Sequence, residues 1–75
     1  MSPEQCRAAR GLLDLTQDEL AGLADLSSTT VRCFETRLRH PKRSNVVILR
    51  RALEAAGVEF LDKGGQGVRF SRGRE

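Results

Sequence analysis

Apolar residues recur at helical spacing through most of the chain and then alternate with polar residues towards its end. In the first 57 residues the apolar positions lie three or four residues apart, which is typical of helices with one buried face. The predicted helices cover residues 3 to 12 or 13, 17 to 24, 28 to 36 and 46 to 56. Residues 58–70 change to a period of two, which favours a β-hairpin. The sequence therefore predicts one mainly α domain, with a four-helix bundle at 1–57 and a C-terminal hairpin.

Capping residues mark where the first three predicted helices begin. Ser2 with Gln5, and Thr16 with Glu19, have the spacing of capping boxes. In a capping box each side chain satisfies a backbone N–H group of the first turn. Ser27 can cap the third helix in the same way. These signals predict the start of each helix to within a residue or two.

The fourth predicted helix has a weaker start and a clear end. Ser44 or Asn45 is expected to cap it, and Gly57 to end it, because glycine readily adopts positive φ. Its buried stripe is expected to be Val46, Leu49, Leu53 and Ala56, widened by Ile48 and Ala52, with Arg50, Arg51 and Glu54 facing water. In the second helix the apolar positions are Leu20, Ala21, Leu23 and Ala24.

One register of the predicted hairpin separates its apolar side chains from its charged ones. It opposes Phe60 to Val68, Val58 to Phe70, and Glu59 to Arg69. Apolar residues then share one face, and opposite charges pair on the other. Because an isolated hairpin is only marginally stable in water, we expect it to pack on the fourth helix or on the same hairpin of a second subunit. Residues 71–75 are expected to form a disordered tail.

Positive charge is concentrated in the middle of the chain, although the net charge of the whole is only +3. Residues 1–31 have a net charge of −3, and residues 52–75 a net charge of zero. Residues 32–51 carry seven Arg and Lys residues against Glu35 alone, which gives +6. Such a block indicates a polyanionic partner, nucleic acid above all. A solvated basic face is the alternative explanation.

The third predicted helix has an outward side of small polar residues. With Val31 and Phe34 turned inward, the outward residues are Thr29, Arg32, Cys33 and Thr36, with Ser28 at the edge. Short hydroxyl side chains allow a helix to approach base edges closely, and Arg binds guanine O6 and N7 bidentately. We therefore predict DNA base contacts from Ser28, Thr29, Arg32 and Cys33.

Nine positions have the residue types and spacing of a helix-turn-helix. They are Gln17, Leu20, Ala21, Ala24, Ser27, Thr30, Val31, Phe34 and Glu35. Over about residues 3 to 56 the chain resembles the phage lambda repressor and Cro family. The resemblance implies a lambda repressor-like helix-turn-helix bundle whose third helix enters the major groove. Asp25 and Arg37 depart from the family pattern, which favours glycine there, and the hairpin replaces a frequent fifth helix.

The resemblance also implies roles for individual residues outside the third helix's outward side. Arg10 and Glu35 match a pair that joins the first helix to the third, so a structural ion pair is expected; two unrelated surface charges are the alternative. DNA backbone contacts are expected from Gln17, Thr36, Arg37, Arg39, Lys42 and Arg43. Gln17 and the free backbone N–H groups at the start of the second helix would bind a phosphate, and the basic loop would bind others.

These features together predict a sequence-specific transcriptional regulator that binds double-stranded DNA as a homodimer. Its two subunits would read half-sites about one helical turn, or 34–36 Å, apart. The alternative is a protein-interaction module, or the antitoxin of a toxin–antitoxin pair, which uses the same fold to bind a protein partner.

Other classes of function have little support in the sequence. No nucleophile with a base, paired carboxylates or phosphate-binding glycine loop is present, so we expect no enzyme activity and no cofactor. Cys6, Cys33 and His40 are too few and too scattered for a metal site, and the thiols are expected to be reduced. The longest apolar run, residues 46–49, is far too short for a membrane span, and no signal-peptide core precedes it. A cytoplasmic location is expected.

Overall fold

This computed structural model describes residues 1–64 and 66–71 of the chain. These residues contain four helices and two strands. The helices are α1 (Pro3–Leu13), α2 (Gln17–Ala24), α3 (Ser28–Thr36) and α4 (Arg43–Ala56), and the strands are β1 (Val58–Leu61) and β2 (Gly67–Phe70). The molecule is therefore a small, mainly helical domain with an antiparallel hairpin, as the periodicity predicts. None of the described helices has the length and apolarity needed to cross a bilayer.

Both predicted capping boxes are present at the helix N-termini. Ser2 Oγ accepts from the Gln5 amide at 3.1 Å, and Gln5 Oε1 accepts from the Ser2 amide at 2.9 Å. Thr16 and Glu19 form the same reciprocal pair at 3.0 and 2.9 Å. Ser27 Oγ accepts from the Thr30 amide at the start of α3. The local signals thus place three helix starts correctly because the capping bonds involve only residues three apart.

Three helices end on a non-glycine residue in the left-handed conformation. Asp14, Asp25 and Arg37 have φ of 57°, 56° and 59°. In each case the next residue, a leucine, donates its amide to a carbonyl five residues earlier, at 2.9 to 3.1 Å. This is a Schellman-type ending, which satisfies carbonyls that the helix leaves open. Glycine is therefore not required at Asp25 or Arg37, although the conformation costs a non-glycine residue about 1–2 kcal/mol.

The core lies where the four helices and β1 meet. Its fully or nearly buried apolar residues are Cys6, Ala9, Leu20, Ala21, Ala24, Val31, Phe34, Leu49, Leu53 and Val58. Of the predicted apolar stripes, Val46, Ala52 and Ala56 are only partly buried, and two further residues are exposed. Leu23 is 59% exposed on α2, and Ile48 is 39% exposed on α4. Helical spacing alone could not show that these two side chains are exposed. It gives the direction in which a side chain points, but not how far the neighbouring helices extend over it.

The fourth helix begins earlier than predicted. Lys42 is its N-cap, without a side-chain capping bond, and Arg43 is its first residue. The Lys42 carbonyl accepts from the amides of Asn45 and Val46 at 3.0 and 3.2 Å. Pro41 disfavours helix at the residue before it but not after it, so the backbone becomes helical as soon as it has passed the proline. Ser44 and Asn45 are therefore first-turn residues and not caps.

The hairpin has the predicted register and packs on its own chain. Val58 opposes Phe70, Glu59 opposes Arg69, and Phe60 opposes Val68. Val58 is buried and Phe60 and Val68 are partly buried against the helical core, between α1 and α4. Packing on α4 was one of the two predicted arrangements, whereas the contact with α1 was not predicted. Most of the apolar side of the hairpin is thus used within the subunit, whereas Phe70 is 50% exposed.

Polar side chains fasten the hairpin to both helices. From α1, Gln5 Nε2 donates to the Leu61 and Gly67 carbonyls at 3.4 and 3.2 Å and to Asp62 Oδ1 at 3.1 Å. From α4, the Arg50 guanidinium lies 5.0 Å from the centre of the Phe60 ring. Arg50 is therefore only half-exposed and does not simply face water, as the sequence suggested.

Ser71, the first residue of the predicted disordered tail, is hydrogen-bonded, so the prediction is wrong for this residue. The Ser71 amide donates to the Gly57 carbonyl at 2.9 Å, which extends the hydrogen bonding of the hairpin by one residue. Residues 72–75 lie outside the described residues.

Candidate nucleic-acid interface

The outward side of α3 is polar, short and accessible. Val31 is fully buried and Phe34 is 6% exposed, so the predicted orientation of the helix is confirmed. The exposed residues on the other side are Ser28, Thr29, Arg32 and Thr36. Cys33 differs from the prediction because it is only half-exposed. This side of α3 therefore presents three hydroxyls and one guanidinium to solvent.

A buried ion pair holds α3 against α1. Arg10 Nη2 and Nε donate to Glu35 Oε1 and Oε2, both at 2.7 Å. Gln17 Nε2 donates to Oε1 at 3.0 Å, and Cys6 Sγ to Oε2 at 3.2 Å. Glu35 is only 1% exposed, so its carboxylate is compensated entirely by protein groups. The predicted pair is present, and it connects three helices.

Burial and hydrogen bonding act in opposite directions on the Glu35 carboxylate. Burial by itself raises its pKa, but the hydrogen bonds from Arg10, Gln17 and Cys6 outweigh it, so the pKa lies below the ordinary value. The same contact affects Cys6 in the other direction. Burial raises the pKa of the Cys6 thiol, and the neighbouring carboxylate raises it further. Cys6 is thus an unreactive hydrogen-bond donor.

The side chain of Gln17, but not the backbone at the start of α2, is placed differently from the sequence-based prediction. Its side-chain amide is bound to Glu35 and is directed into the molecule. The capping box takes up the amides of Thr16 and Glu19, which leaves the backbone N–H groups of Gln17 and Asp18 without an intrahelical partner. A phosphate at the start of α2 would have to bind these backbone amides and not the Gln17 side chain.

A cleft joins the side of α3 to the loop that follows it. It encloses about 330 Å³ between α3, residues 39–42 and the first turns of α4. Its floor is apolar, formed by Phe34, Val46 and Leu49, and its rim is polar: Thr29, Thr30, Cys33, Arg39, His40, Lys42 and Asn45. Thr29 and Cys33 of the predicted base-contact set thus lie beside Arg39 and Lys42 of the predicted phosphate-contact set. The structure brings these four residues to one cleft, whereas Ser28, Arg32 and Arg43 do not line it.

Two of the predicted backbone contacts are engaged inside the subunit. Arg37 Nη2 lies 2.7 Å from Glu4 Oε1. Arg37 also lines a second groove with Pro3 and Leu38, and this groove shares Phe34, Arg39, His40 and Pro41 with the cleft. Thr36 Oγ1 donates to the Arg32 carbonyl at 2.7 Å, although the residue stays exposed. Because this pair is exposed, Arg37 stays a predicted contact that would have to exchange Glu4 for a phosphate. The sequence did not reveal this pairing because Glu4 is distant along the chain.

The other cations of the basic block are available to a ligand. Within residues 1–64 and 66–71, no carboxylate lies within ion-pair distance of Arg32, Arg39, Lys42 or Arg43, and all four are exposed. Arg50, by contrast, pairs with Glu54 at 3.2 Å and with Asp62 at 3.6 Å. Arg51 is also exposed and without a carboxylate at ion-pair distance in the described part of the chain, so the positive charge that the subunit does not neutralise lies on α3, on the following loop and on α4.

Sequence reasoning missed the first turn of α4 as part of this surface. Because Lys42 makes no side-chain capping bond, the amides of Arg43 and Ser44 have no helical or capping partner. Asn45 and His40 also line the cleft. The position of Pro41 was the available signal, since it indicated that the helix could begin directly after it.

The described residues contain no group of His, Cys, Asp and Glu that could hold a metal ion.

Neither a scan against protein-family models nor a search of the curated proteins gives a match for this chain. The chemistry of the surface is therefore the basis for a functional assignment.

Proposed function

We propose that this protein is a sequence-specific DNA-binding regulator that places α3 in the major groove of double-stranded DNA. The observation that supports it most is the juxtaposition at the cleft. A small, hydroxyl-rich helix face lies directly beside cations that have no carboxylate partner among the described residues. A surface that served solubility alone would need neither short side chains on the helix nor a group of cations without neighbouring carboxylates.

The dimensions and chemistry of α3 suit the groove. A helix with its side chains is about 10–12 Å across, so a single helix such as α3 fits the ~12 Å wide major groove. Ser28 and Thr29 lie at its N-terminal end, where a recognition helix meets the bases. Arg32 is one turn further along and would bind a guanine, while the hydroxyls would read neighbouring bases.

The basic residues would position α3 by binding phosphates on one side of the groove. Arg39, Lys42 and Arg43 are the expected contacts, together with the uncapped amides at the start of α4. Such contacts supply affinity and register but carry no sequence information. The Arg10–Glu35 pair would contribute indirectly, because it fixes α3 relative to the helices behind it. We further propose that the protein acts as a homodimer whose two copies of α3 read successive half-sites.

A protein-interaction role, including that of an antitoxin, is the alternative. Exposed aliphatic side chains favour it: Leu23 and Leu38 are 59% and 69% exposed. Scattered exposed apolar residues are common on soluble proteins, however, whereas unneutralised charge beside a hydroxyl-rich helix is more specific to nucleic acid. We therefore place DNA binding first.

Selection of bound sites from a random double-stranded DNA pool tests the proposal. We expect enrichment of one sequence or of two related half-sites. Affinity for that sequence should fall with salt at a slope of about −2.7 per subunit, since each of three phosphate contacts contributes about −0.9. Binding with this salt dependence but no sequence preference would reject base readout. Absence of binding at about 100 mM salt would favour the protein-interaction role.

A further inference from the structure

The cleft between α3 and α4 has an apolar floor that contact with phosphates does not require. The floor is formed by Phe34, Val46 and the fully buried Leu49. The volume of about 330 Å³ lies at the small end of the range for ligand pockets, roughly 300–1,000 Å³. Because the backbone of DNA is polar and charged, it offers little that is complementary to this floor. The cleft is therefore suited to a small molecule with an apolar body.

The charged residues at the rim of the cleft are positive. None of the described residues that line the cleft is an aspartate or a glutamate. Arg39 and Lys42 are exposed, and no carboxylate within residues 1–64 and 66–71 lies at ion-pair distance from either. Thr29 and Asn45 add neutral hydrogen-bonding groups to the rim. An anionic group complements this rim, because hydrogen bonds from Arg or Lys to a carboxylate are stronger than neutral ones.

We propose that the cleft binds a small aromatic carboxylate and that this ligand releases the protein from DNA. In this arrangement the ring system contacts Phe34 and Val46, where burial of apolar area favours binding. The carboxylate binds Arg39 and Lys42. Because the same two cations are expected to bind phosphates, the ligand and DNA exclude one another there. Binding of the carboxylate is a property of the free protein, whereas release from DNA rests on the proposed function.

Titration of naphthalene-2-acetate into the full chain without DNA, followed by the backbone amide signals in NMR spectra, tests the binding. We expect the largest changes at Cys33, Arg39, Lys42 and Val46. Two matched probes separate the parts of the ligand: the neutral naphthalene-2-acetamide keeps the ring system without the charge, and acetate keeps the charge without the ring system. Each should bind at least about tenfold more weakly than naphthalene-2-acetate.

Three outcomes of this titration would overturn the proposal. The first is no binding of naphthalene-2-acetate at about 1 mM, the weak limit for a specific small ligand. The second is equal binding of either matched probe, since it would mean that the floor or the rim contributes nothing. The third is a set of spectral changes centred on residues outside the cleft.

Substitutions at the rim and the floor locate the ligand. Arg39→Ala and Lys42→Ala should each weaken the binding of naphthalene-2-acetate by about three- to tenfold, because each removes a charged donor. Val46→Thr, which keeps the branched shape but adds a hydroxyl to the floor, should weaken it as well. Lys63→Ala, at an exposed lysine in the hairpin turn, is the matched control and should leave it unchanged. Circular dichroism verifies that each variant is folded, and an equal effect of Lys42→Ala and Lys63→Ala would reject the cleft as the site.

Competition with DNA tests the regulatory part of the proposal. For direct competition, naphthalene-2-acetate at about ten times its own dissociation constant should raise the dissociation constant of the selected DNA site about elevenfold. The amide probe at the same concentration should have little effect. DNA affinity that is unchanged while the carboxylate occupies the cleft would overturn the regulatory role. Failure to bind any DNA would instead reject the proposed function, and with it the regulatory role, while the titration without DNA still decides whether the cleft binds the carboxylate.

Discussion

Replacing Glu35 with alanine tests the support on which the orientation of α3 depends. The substitution removes the acceptor for two Arg10 hydrogen bonds at 2.7 Å, and for those from Gln17 and Cys6. Because Glu35 is 1% exposed, water cannot easily take its place. Arg10 keeps a charge without a partner, with only 19% of its side chain in contact with solvent.

The expected loss is large compared with the stability of the domain. Breaking one side of a buried ion pair typically costs about 3–5 kcal/mol. Partial exposure of Arg10 favours the lower end, about 3 kcal/mol, because its charge regains some hydration. A chain of 75 residues has a free energy of unfolding of roughly 4–11 kcal/mol, at about 0.05–0.15 kcal/mol per residue. Glu35→Ala should therefore remove between a quarter and most of the stability.

Urea unfolding followed by circular dichroism measures this loss. With a slope of about 1 kcal/mol per molar, expected for a chain this small, the midpoint should fall by about 3 M. A shift of less than about 1 M would refute the reasoning, since it would mean that the carboxylate contributes no more than an exposed one.

Two companion variants separate the ion pair from other causes. Glu4→Ala breaks the exposed pair with Arg37 and should leave the midpoint nearly unchanged, because water screens that pair. The double substitution Arg10→Met with Glu35→Leu should destabilise less than Glu35→Ala alone, because it leaves no uncompensated charge. A double variant as unstable as the single one would show that the loss of stability comes from altered packing and not from the uncompensated charge of Arg10.

Other measurements address the interface and the thiols. Arg32→Ala should cost about 1–3 kcal/mol on the selected DNA site and relax one base preference; an equal loss on every sequence would reassign Arg32 to the backbone. Lys42→Ala should weaken binding to all sequences and reduce the salt slope by about 0.9, whereas Lys63→Ala, an exposed lysine in the hairpin turn, should not. In the native protein a thiol reagent should modify Cys33 and not Cys6, because Cys6 is buried and its pKa is raised; fast modification of both would contradict the buried network. Since the folded-state pKa of Glu35 lies below its ordinary value of 4.5, its stabilisation should be complete above that pH and be lost as pH falls below it, so Glu35→Gln should flatten the acid side of a stability–pH curve.

Local chemistry accounts for the features that sequence reasoning predicted well. The two capping boxes, the register of the hairpin and the direction of Val31 and Phe34 all depend on residues close along the chain or on a fixed helical period. The Arg10–Glu35 pair is different, since no local rule joins residues 25 apart. It was expected from the resemblance to the lambda repressor and Cro family.

Partners distant in sequence account for the contacts that the sequence did not reveal. Arg37 was expected at DNA, but Glu4 lies beside it in the folded chain. Gln17 was expected at a phosphate, but Glu35 holds its side-chain amide. Charge and spacing describe what a side chain can bind, and they do not reveal which of several acceptors folding brings near.

By itself, the sequence determined the number, type and approximate limits of the helices and strands, the inward side of α3, and the concentration of positive charge after it. These follow from short-range hydrogen bonding and from the periodic burial of apolar residues. Only the tertiary structure decided which cations remain without a carboxylate among the described residues, that the loop and α3 line one cleft, and that the hairpin packs on α1 and α4. Those outcomes depend on which surfaces meet when the helices pack, and packing joins residues far apart in the chain.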